Sequence, residues 1–285
     1  MSKPPRLTLP SVARAYRLAT ARGEFAVHEA GGPERGTALL VPGFTGSKED
    51  FIGLLEPLAA AGYRVVAVDG RGQYESPGPR EESAYALEEL ALDVLAQARA
   101  LEAGPVHLVG HSLGGLISRA AVLRDASPFA SLTLMSSGPA AISEDQQART
   151  KLLVAALEVM GDDMPGIWAA MRAHDPQDAV PDSPELAHFL RERWLATVPE
   201  QLIVTGRALI CACDRVSGLA AVALPKLVLS GAVDFAWPVP LLDEMARRLE
   251  AERVVIPGTE HSPNAEEPAA TAAALAAFWD SGTRR

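Results

Sequence analysis

Cysteine is almost missing from this chain: among 285 residues only Cys211 and Cys213 occur. Two cysteines cannot make the disulfide framework of a small secreted domain, and a pair one residue apart does not bridge easily, because the two side chains diverge. Nothing at metal-ligand spacing stands around them, so they read as two small hydrophobes packed in a helix, and no metal is expected. Long apolar runs are missing too. No stretch of about 18 residues is free of charges and breakers, which excludes a transmembrane helix. Met1-Ser2-Lys3-Pro4-Pro5 lacks the apolar segment of a signal peptide, and the chain reads as soluble and cytoplasmic. Basic charge is the scarcer sign: 26 Lys and Arg against 36 Asp and Glu give −10 at pH 7. Such a surface repels phosphate backbones, so nucleic acid is excluded as a general partner, and neutral or cationic small molecules are weakly favoured. No Gly-rich phosphate fingerprint stands in the expected context, so no cofactor is expected. Internal repeats and low-complexity tracts are absent, although the C-terminal helix is rich in alanine.

What the chain does have is hydrophobic mass. Apolar residues make up 48%, ample for a sizeable core and incompatible with general disorder. Short apolar runs alternate with longer helical patterns, the signal of an α/β architecture with a mostly parallel sheet. Strands are expected at Glu24 to Ala30, Thr37 to Val41, Arg64 to Val68, Pro105 to Val109, Ser131 to Ser136, Lys226 to Ser230 and Arg253 to Ile256. Helices are expected after Ser47, from about Ser83 to Ala103, from Leu113 to about Arg124, from Pro238 to Glu250 and around Pro268 to Trp279. The rhythm breaks between Pro139 and Val222, where nothing reads as a buried strand. Helical patterns fill it at Glu144 to Met160, Met164 to Ala173, Pro184 to Thr197 and Pro199 to Cys213. The chain is therefore one α/β core, residues 1–138 and 223–285, interrupted by a helical insertion, residues 139–222.

Gly110-His111-Ser112-Leu113-Gly114 is a G-x-S-x-G pattern. Chance alone supplies about 0.1 such matches in a chain of this composition, so its setting has to carry the weight. An apolar strand ends at Gly110 and an apolar helix starts at Leu113. That strand–turn–helix context is what a nucleophile elbow needs: the serine takes a sharp turn and small neighbours let strand and helix pack closely. The helix N-terminus adds positive potential beside the hydroxyl. A serine needs a base, and the base an orienting acid, here in the chain order Ser, acid, His. Asp234 follows the strand KLVLS, and His261 follows the strand RVVIP, so both fall at carboxyl ends of strands, where α/β sheets present their ligands. The competitors fit less well. His28 and His107 lie within strands, His174 and His188 lie in the insertion, and His111 adjoins the serine and should point away from it. Asp243 and Glu244 sit inside a helix. The third requirement is a pair of donors for a developing oxyanion; the loop Val41-Pro42-Gly43-Phe44-Thr45-Gly46 follows a strand, and the backbone N–H groups of Phe44 and Leu113 are the candidates.

These motifs, in this order, resemble the α/β-hydrolase superfamily over nearly the whole chain. The resemblance implies an α/β-hydrolase fold, with a mostly parallel central sheet of about eight strands flanked by helices and a helical cap formed by residues 139–222. It implies Ser112 as nucleophile, His261 as general base and Asp234 as orienting acid. Asp69-Gly70-Arg71-Gly72-Gln73-Tyr74-Glu75-Ser76 resembles the family's D-x-R-G-x-G-x-S loop, which buttresses the oxyanion loop. Two positions depart from the pattern. Tyr74 stands where the loop has its second glycine, and Pro42-Gly43 replaces the usual His-Gly. They touch the pocket wall and the brace of the oxyanion loop, hence the substrate class, and leave the triad intact.

The reading that follows is a cofactor-independent serine hydrolase cleaving an ester or related acyl bond. Thioesterase, amidase or peptidase, C–C hydrolase and lyase chemistries share the same triad, and fold does not separate them. Dehalogenase and epoxide hydrolase chemistry is disfavoured, since those relatives place an aspartate where Ser112 stands. A non-catalytic small-ligand module, or a scaffold, is the alternative from another class. The insertion carries Met160, Met164, Trp168, Met171, Phe189 and Trp194, read first as cap core and second as substrate wall. An apolar cap fits a small to medium apolar acyl substrate. Gly161 and Gly166 mark possible hinges.

Overall fold

The computed structural model describes residues 2–161, 163–173 and 182–282. The chain opens with a hairpin, β1 (Ala13–Thr20) and β2 (Gly23–Ala30), then alternates strand and helix. β3 (Gly36–Val41) leads through a 3-10 turn into α1 (Ile52–Ala60), followed by β4 (Tyr63–Val68), α2 (Leu87–Ala100), β5 (Val106–His111), α3 (Leu113–Arg124) and β6 (Phe129–Met135). Among the described residues, five helices follow without a strand: α4 (Glu144–Met160), α5 (Met164–Ala173), α6 (Pro184–Ala196), α7 (Pro199–Cys211) and α8 (Val216–Ala220). The rhythm resumes with β7 (Lys226–Gly231), α9 (Val239–Leu249), β8 (Glu252–Ile256), α10 (Pro263–Glu266) and α11 (Pro268–Gly282).

The strands form one eight-stranded sheet in the order β1-β2-β4-β3-β5-β6-β7-β8. β2 pairs antiparallel with β1 and β4, and every pairing from β4 to β8 is parallel. β3, β5 and β7 are buried along almost their whole length because helices cover both faces. One face packs Leu90 and Val94 of α2, Leu116 of α3 and Met245 of α9; the other packs Leu54 and Leu58 of α1 with Leu275 and Trp279 of α11.

β1 is not among the strands the sequence announces. Its run ARAYRLAT alternates arginine with apolar residues, only Leu18 is buried, and it lies at the sheet edge with Arg14 and Tyr16 on the Glu29 carboxylate. Charged residues on an edge strand are a normal defence against edge pairing, and they hide the strand from an apolarity count. α8 also goes unannounced; it is five residues long, and its Val216 and Leu219 join the main core rather than the insertion's own cluster. α4, α5, α6 and α7 gather a separate cluster: Val154, Leu157, Met164, Ile167, Trp194, Leu202 and Ile203.

The cysteines need correction. α7 ends at Cys211, so Cys213 lies beyond the helix, and both thiols are exposed and free rather than packed. They line a groove of about 780 Å³, together with Leu116, Arg119 and Arg215, apart from Ser112. Among the described residues, no helix is long and apolar enough to cross a membrane.

Candidate active site

Ser112 is the hinge between β5 and α3, and its backbone sits at φ 55°, ψ −120°, outside the helical and extended regions. A non-glycine residue there is strained, and the surroundings must hold it. Its N–H donates to the Met135 carbonyl at 2.9 Å, and its carbonyl accepts from Gly115 at the same distance. The glycines of the motif are steric necessities. A Cβ on Gly110 would stand 2.3 Å from the Gly114 carbonyl oxygen, and one on Gly114 would stand 2.3 Å from that of Val41.

The residues singled out in the sequence meet at one point. His261 Nε2 lies 3.0 Å from Ser112 Oγ, and its Nδ1 lies 3.0 Å from both carboxylate oxygens of Asp234. With Nδ1–H donating to the carboxylate, Nε2 accepts from the serine hydroxyl. Asp234 follows β7 in a turn where its Oδ1 also accepts the N–H groups of Ala236 and Trp237, at 2.8 and 3.0 Å. Its side chain is fully buried, while the His261 ring is 13% exposed and lines a pocket together with Ser112. The rings of Phe235 and Trp237 flank His261, with centroids 4.8 and 6.3 Å away.

Phe44 and Leu113 come to the same place. Gly43 abuts the elbow so closely that a Cβ on it would be 3.2 Å from Ser112 Cβ. Among the described residues, neither the Phe44 nor the Leu113 amide donates to a protein acceptor. The loop of Asp69–Ser76 fixes the Phe44 peptide. Gln73 Nε2 donates to the Gly43 carbonyl at 2.8 Å, while its Oε1 accepts from the Gly70 amide. In a planar trans peptide, a Gly43 carbonyl held from one side turns the Phe44 N–H to the other. Lys48 anchors the far end of the loop that follows β3. Its backbone N–H and its ammonium reach the two oxygens of buried Asp69, at 2.7 and 2.9 Å. Burial opposes the Lys48 charge, yet Asp69 and Glu49 hold its pKa above the ordinary lysine value.

Three side chains at the site make contacts that the sequence argument does not assign. His111 Nε2 is 2.8 Å from the main-chain carbonyl of His261 and so braces the histidine from behind. Burial pushes its pKa down to about 3, with the neighbouring His261 as a smaller cause, so it is a neutral donor. Its place next to Ser112 was the only signal in the sequence. Asp50, at the pocket wall, is paired with Arg193 of α6 at 2.8 Å, both side chains buried; burial raises the Asp50 pKa and Arg193 pulls it back. Tyr74, the departure from the family loop, adopts φ 42° and packs edge-on against Phe189 of α6, 5.7 Å away. That aromatic contact joins the loop to the insertion.

The pocket in front of Ser112 has a volume of about 400 Å³. The insertion supplies Ile142, Gln146, Thr150 and Leu209 to its wall, so the wall from that side is half polar. Met164 and Trp194 belong to the separate cluster of α4 to α7, Trp168 and Met171 pack against that cluster, and Met160 is 40% exposed; none of them lines the pocket. His188 lies on α6, His28 and His107 lie on β2 and β5, and none lines the pocket either, while His174 is outside the described residues. Among the described residues, no group of three or more His, Cys, Asp or Glu could hold a metal ion.

The chain matches the family described as alpha/beta hydrolase fold over residues 38–188, and it belongs to that family. It is a hydrolase of the esterase and hydrolase kind found there. A pimeloyl-[acyl-carrier protein] methyl ester esterase of Aeromonas salmonicida is 30% identical over 229 residues, covering 76% of this chain and 84% of that protein. RutD of Variovorax paradoxus, named for carbamate hydrolysis, is 38% identical over 109 residues, 38% of this chain; the match spans only 41% of that relative's length. Among solved structures, a carboxylesterase of Nitrososphaera gargenis superposes with a TM-score of 0.76 at 20% identity, covering 94% of this chain and 99% of that one. An esterase of Thermogutta terrifontis does so at 0.74 and 23%, covering 94% and 99%. At those identities the structural likeness establishes the shared fold alone.

Proposed function

We propose that the protein is a serine hydrolase that cleaves an ester of a small to medium, largely apolar acyl substrate through an acyl-enzyme. The observation that carries this reading is the position of His261, with one ring nitrogen 3.0 Å from Ser112 Oγ and the other 3.0 Å from the Asp234 carboxylate. Ser112 Oγ attacks the acyl carbon as its proton passes to His261 Nε2; Asp234 holds the tautomer and stabilises the imidazolium. The oxyanion lies between the amides of Phe44 and Leu113, whose protons no acceptor among the described residues takes. His261 then gives its proton to the departing alkoxide. Water enters, loses a proton to His261 and releases the acid and free Ser112.

Residues 139–222 act as a cap over a core of residues 1–138 and 223–285, with Ile142 and Leu209 as the apolar part of the wall and α8 packed onto the core. A pocket of about 400 Å³ suits a short acyl chain better than a long triglyceride. Ester chemistry is favoured by likeness to a methyl ester esterase along 76% of the chain. The place of action is the cytoplasm. Intact-mass labelling with a fluorophosphonate tests the reading: one adduct on wild type and none on Ser112→Ala is expected. A folded wild type that takes no adduct and turns over no short-chain p-nitrophenyl ester overturns it.

A further inference from the structure

α7 carries a glycine, Gly206, in the middle of the run PEQLIVTGRALIC. A mid-helix glycine weakens a helix relative to alanine, so its presence asks for a spatial reason. A Cβ on Gly206 would lie 2.8 Å from Val154 Cγ2 and 3.4 Å from Thr150 Cγ2, both on α4, and 3.2 Å from Cζ of Phe44. The tip of the Phe44 ring therefore reaches the crossing of α4 and α7. The same ring packs against the main core and against the insertion's own cluster.

Phe44 is thus held at two ends. The core grips its backbone, since Gln73 Nε2 donates to the carbonyls of Gly43 and Phe44, at 2.8 and 3.3 Å. The insertion grips its ring. We infer that the seating of α4 and α7 sets the position of the Phe44 peptide through that ring, with Gly206 as the positioning residue that leaves it room. The catalytic consequence rests on the proposed role of the Phe44 amide. A ring pushed out of the crossing rotates the residue about its own backbone, and the amide leaves the point where an oxyanion forms. Oxyanion donors act only when preorganised, so a small displacement is expected to fall on kcat rather than on binding.

Gly206→Ala tests this, because alanine is the better helix former and the substitution by itself favours α7. The nearest obstacle to the added methyl is the Val154 side chain, so Gly206→Ala/Val154→Ala gives the space back. Two readouts are taken on both variants and on wild type: kcat and KM for p-nitrophenyl acetate, and the amide resonance of Phe44 by NMR. In Gly206→Ala, kcat is expected to fall about tenfold or more, towards the roughly 10²–10³ of a lost oxyanion donor. KM should change little, and the Phe44 resonance should shift. The double variant should return both towards wild type. A folded Gly206→Ala with wild-type kcat and an unmoved Phe44 resonance overturns the inference, as does a kcat loss that leaves the resonance in place. A resonance that moves and is restored, in a protein inactive on every ester, upholds the coupling and sinks the catalytic reading instead.

Discussion

His111 and His261 stand 150 residues apart in sequence, yet the Nε2 of the first donates to the main-chain carbonyl of the second at 2.8 Å. The elbow residue before Ser112 therefore holds the loop that delivers the imidazole to Ser112. Replacing His111 with Phe keeps the bulk and removes the donor, leaving a partly buried carbonyl without it. The expected result is a loss of about tenfold in kcat, partly recovered by His111→Gln, which can still donate. Burial keeps His111 neutral down to about pH 3, so the pH–rate profile should keep its midpoint in every variant. A midpoint that moves in His111→Phe would show that His111 titrates in the reaction and is more than a brace.

His107 makes a prediction about stability. It lies on β5, stacked on Trp279 at 4.9 Å, with Nδ1 2.8 Å from Ser131 Oγ. Burial lowers its pKa from 6.5 to about 4. A lowered histidine pKa means that the unfolded chain binds the extra proton first. Stability is therefore intact above 6.5 and is lost as pH falls towards 4, by up to about 3 kcal/mol from this group. Urea unfolding of wild type and His107→Gln across that window should give a slope flatter by up to one proton in the variant. Equal slopes would exclude His107 as a source of the acid sensitivity.

The buried pair Asp50–Arg193 fastens α6 to the 3-10 turn that follows the loop after β3. Arg193 also donates to Ser47 Oγ at 3.3 Å and to the Ser2 carbonyl at 2.8 Å. Removing one partner strands the other in the dry interior, which costs about 3–5 kcal/mol, whereas removing both costs less than the sum. Urea unfolding of Asp50→Asn, Arg193→Met and the double variant measures this. Strict additivity would mean that the two side chains do not depend on one another.

Much of this arrangement is written locally in the chain, and the parts that are not share a cause. TALLV announces β3 because both faces of the strand are buried, and Gly110 and Gly114 announce the elbow because backbone atoms come within 2.3 Å of where their Cβ atoms would be. Asp234 and His261 are legible because each follows a strand of a parallel sheet. The His111 brace, the Asp50–Arg193 pair and the room that Gly206 leaves for Phe44 join residues far apart in the chain, and no local pattern encodes such pairings. β1 escapes because Arg14 and Arg17 interrupt its apolar face, and Cys213 is misplaced because α7 ends two residues before it.

The charge of the pocket sets the last expectation. Lys3 at its rim is engaged by Asp182 at 2.6 Å, and the Glu266 carboxylate accepts the N–H groups of Glu260 and Ser262. Glu260, next to His261, lines the same pocket, and among the described residues its carboxylate has no cationic partner. An ester bearing a carboxylate meets like charge there, while a quaternary ammonium ester meets attraction, in a protein whose net charge is already −10. One unit charge several ångströms away through partly hydrated space is worth roughly three- to tenfold in kcat/KM. Glu260→Gln should therefore reduce the preference for choline esters over succinate monoesters by about that factor at low salt. Wild type and variant should converge in about 1 M salt, where the screening length falls to about 3 Å. A preference that Glu260→Gln leaves untouched would place the selecting charge elsewhere on the wall, and Glu266 would be the next residue to neutralise.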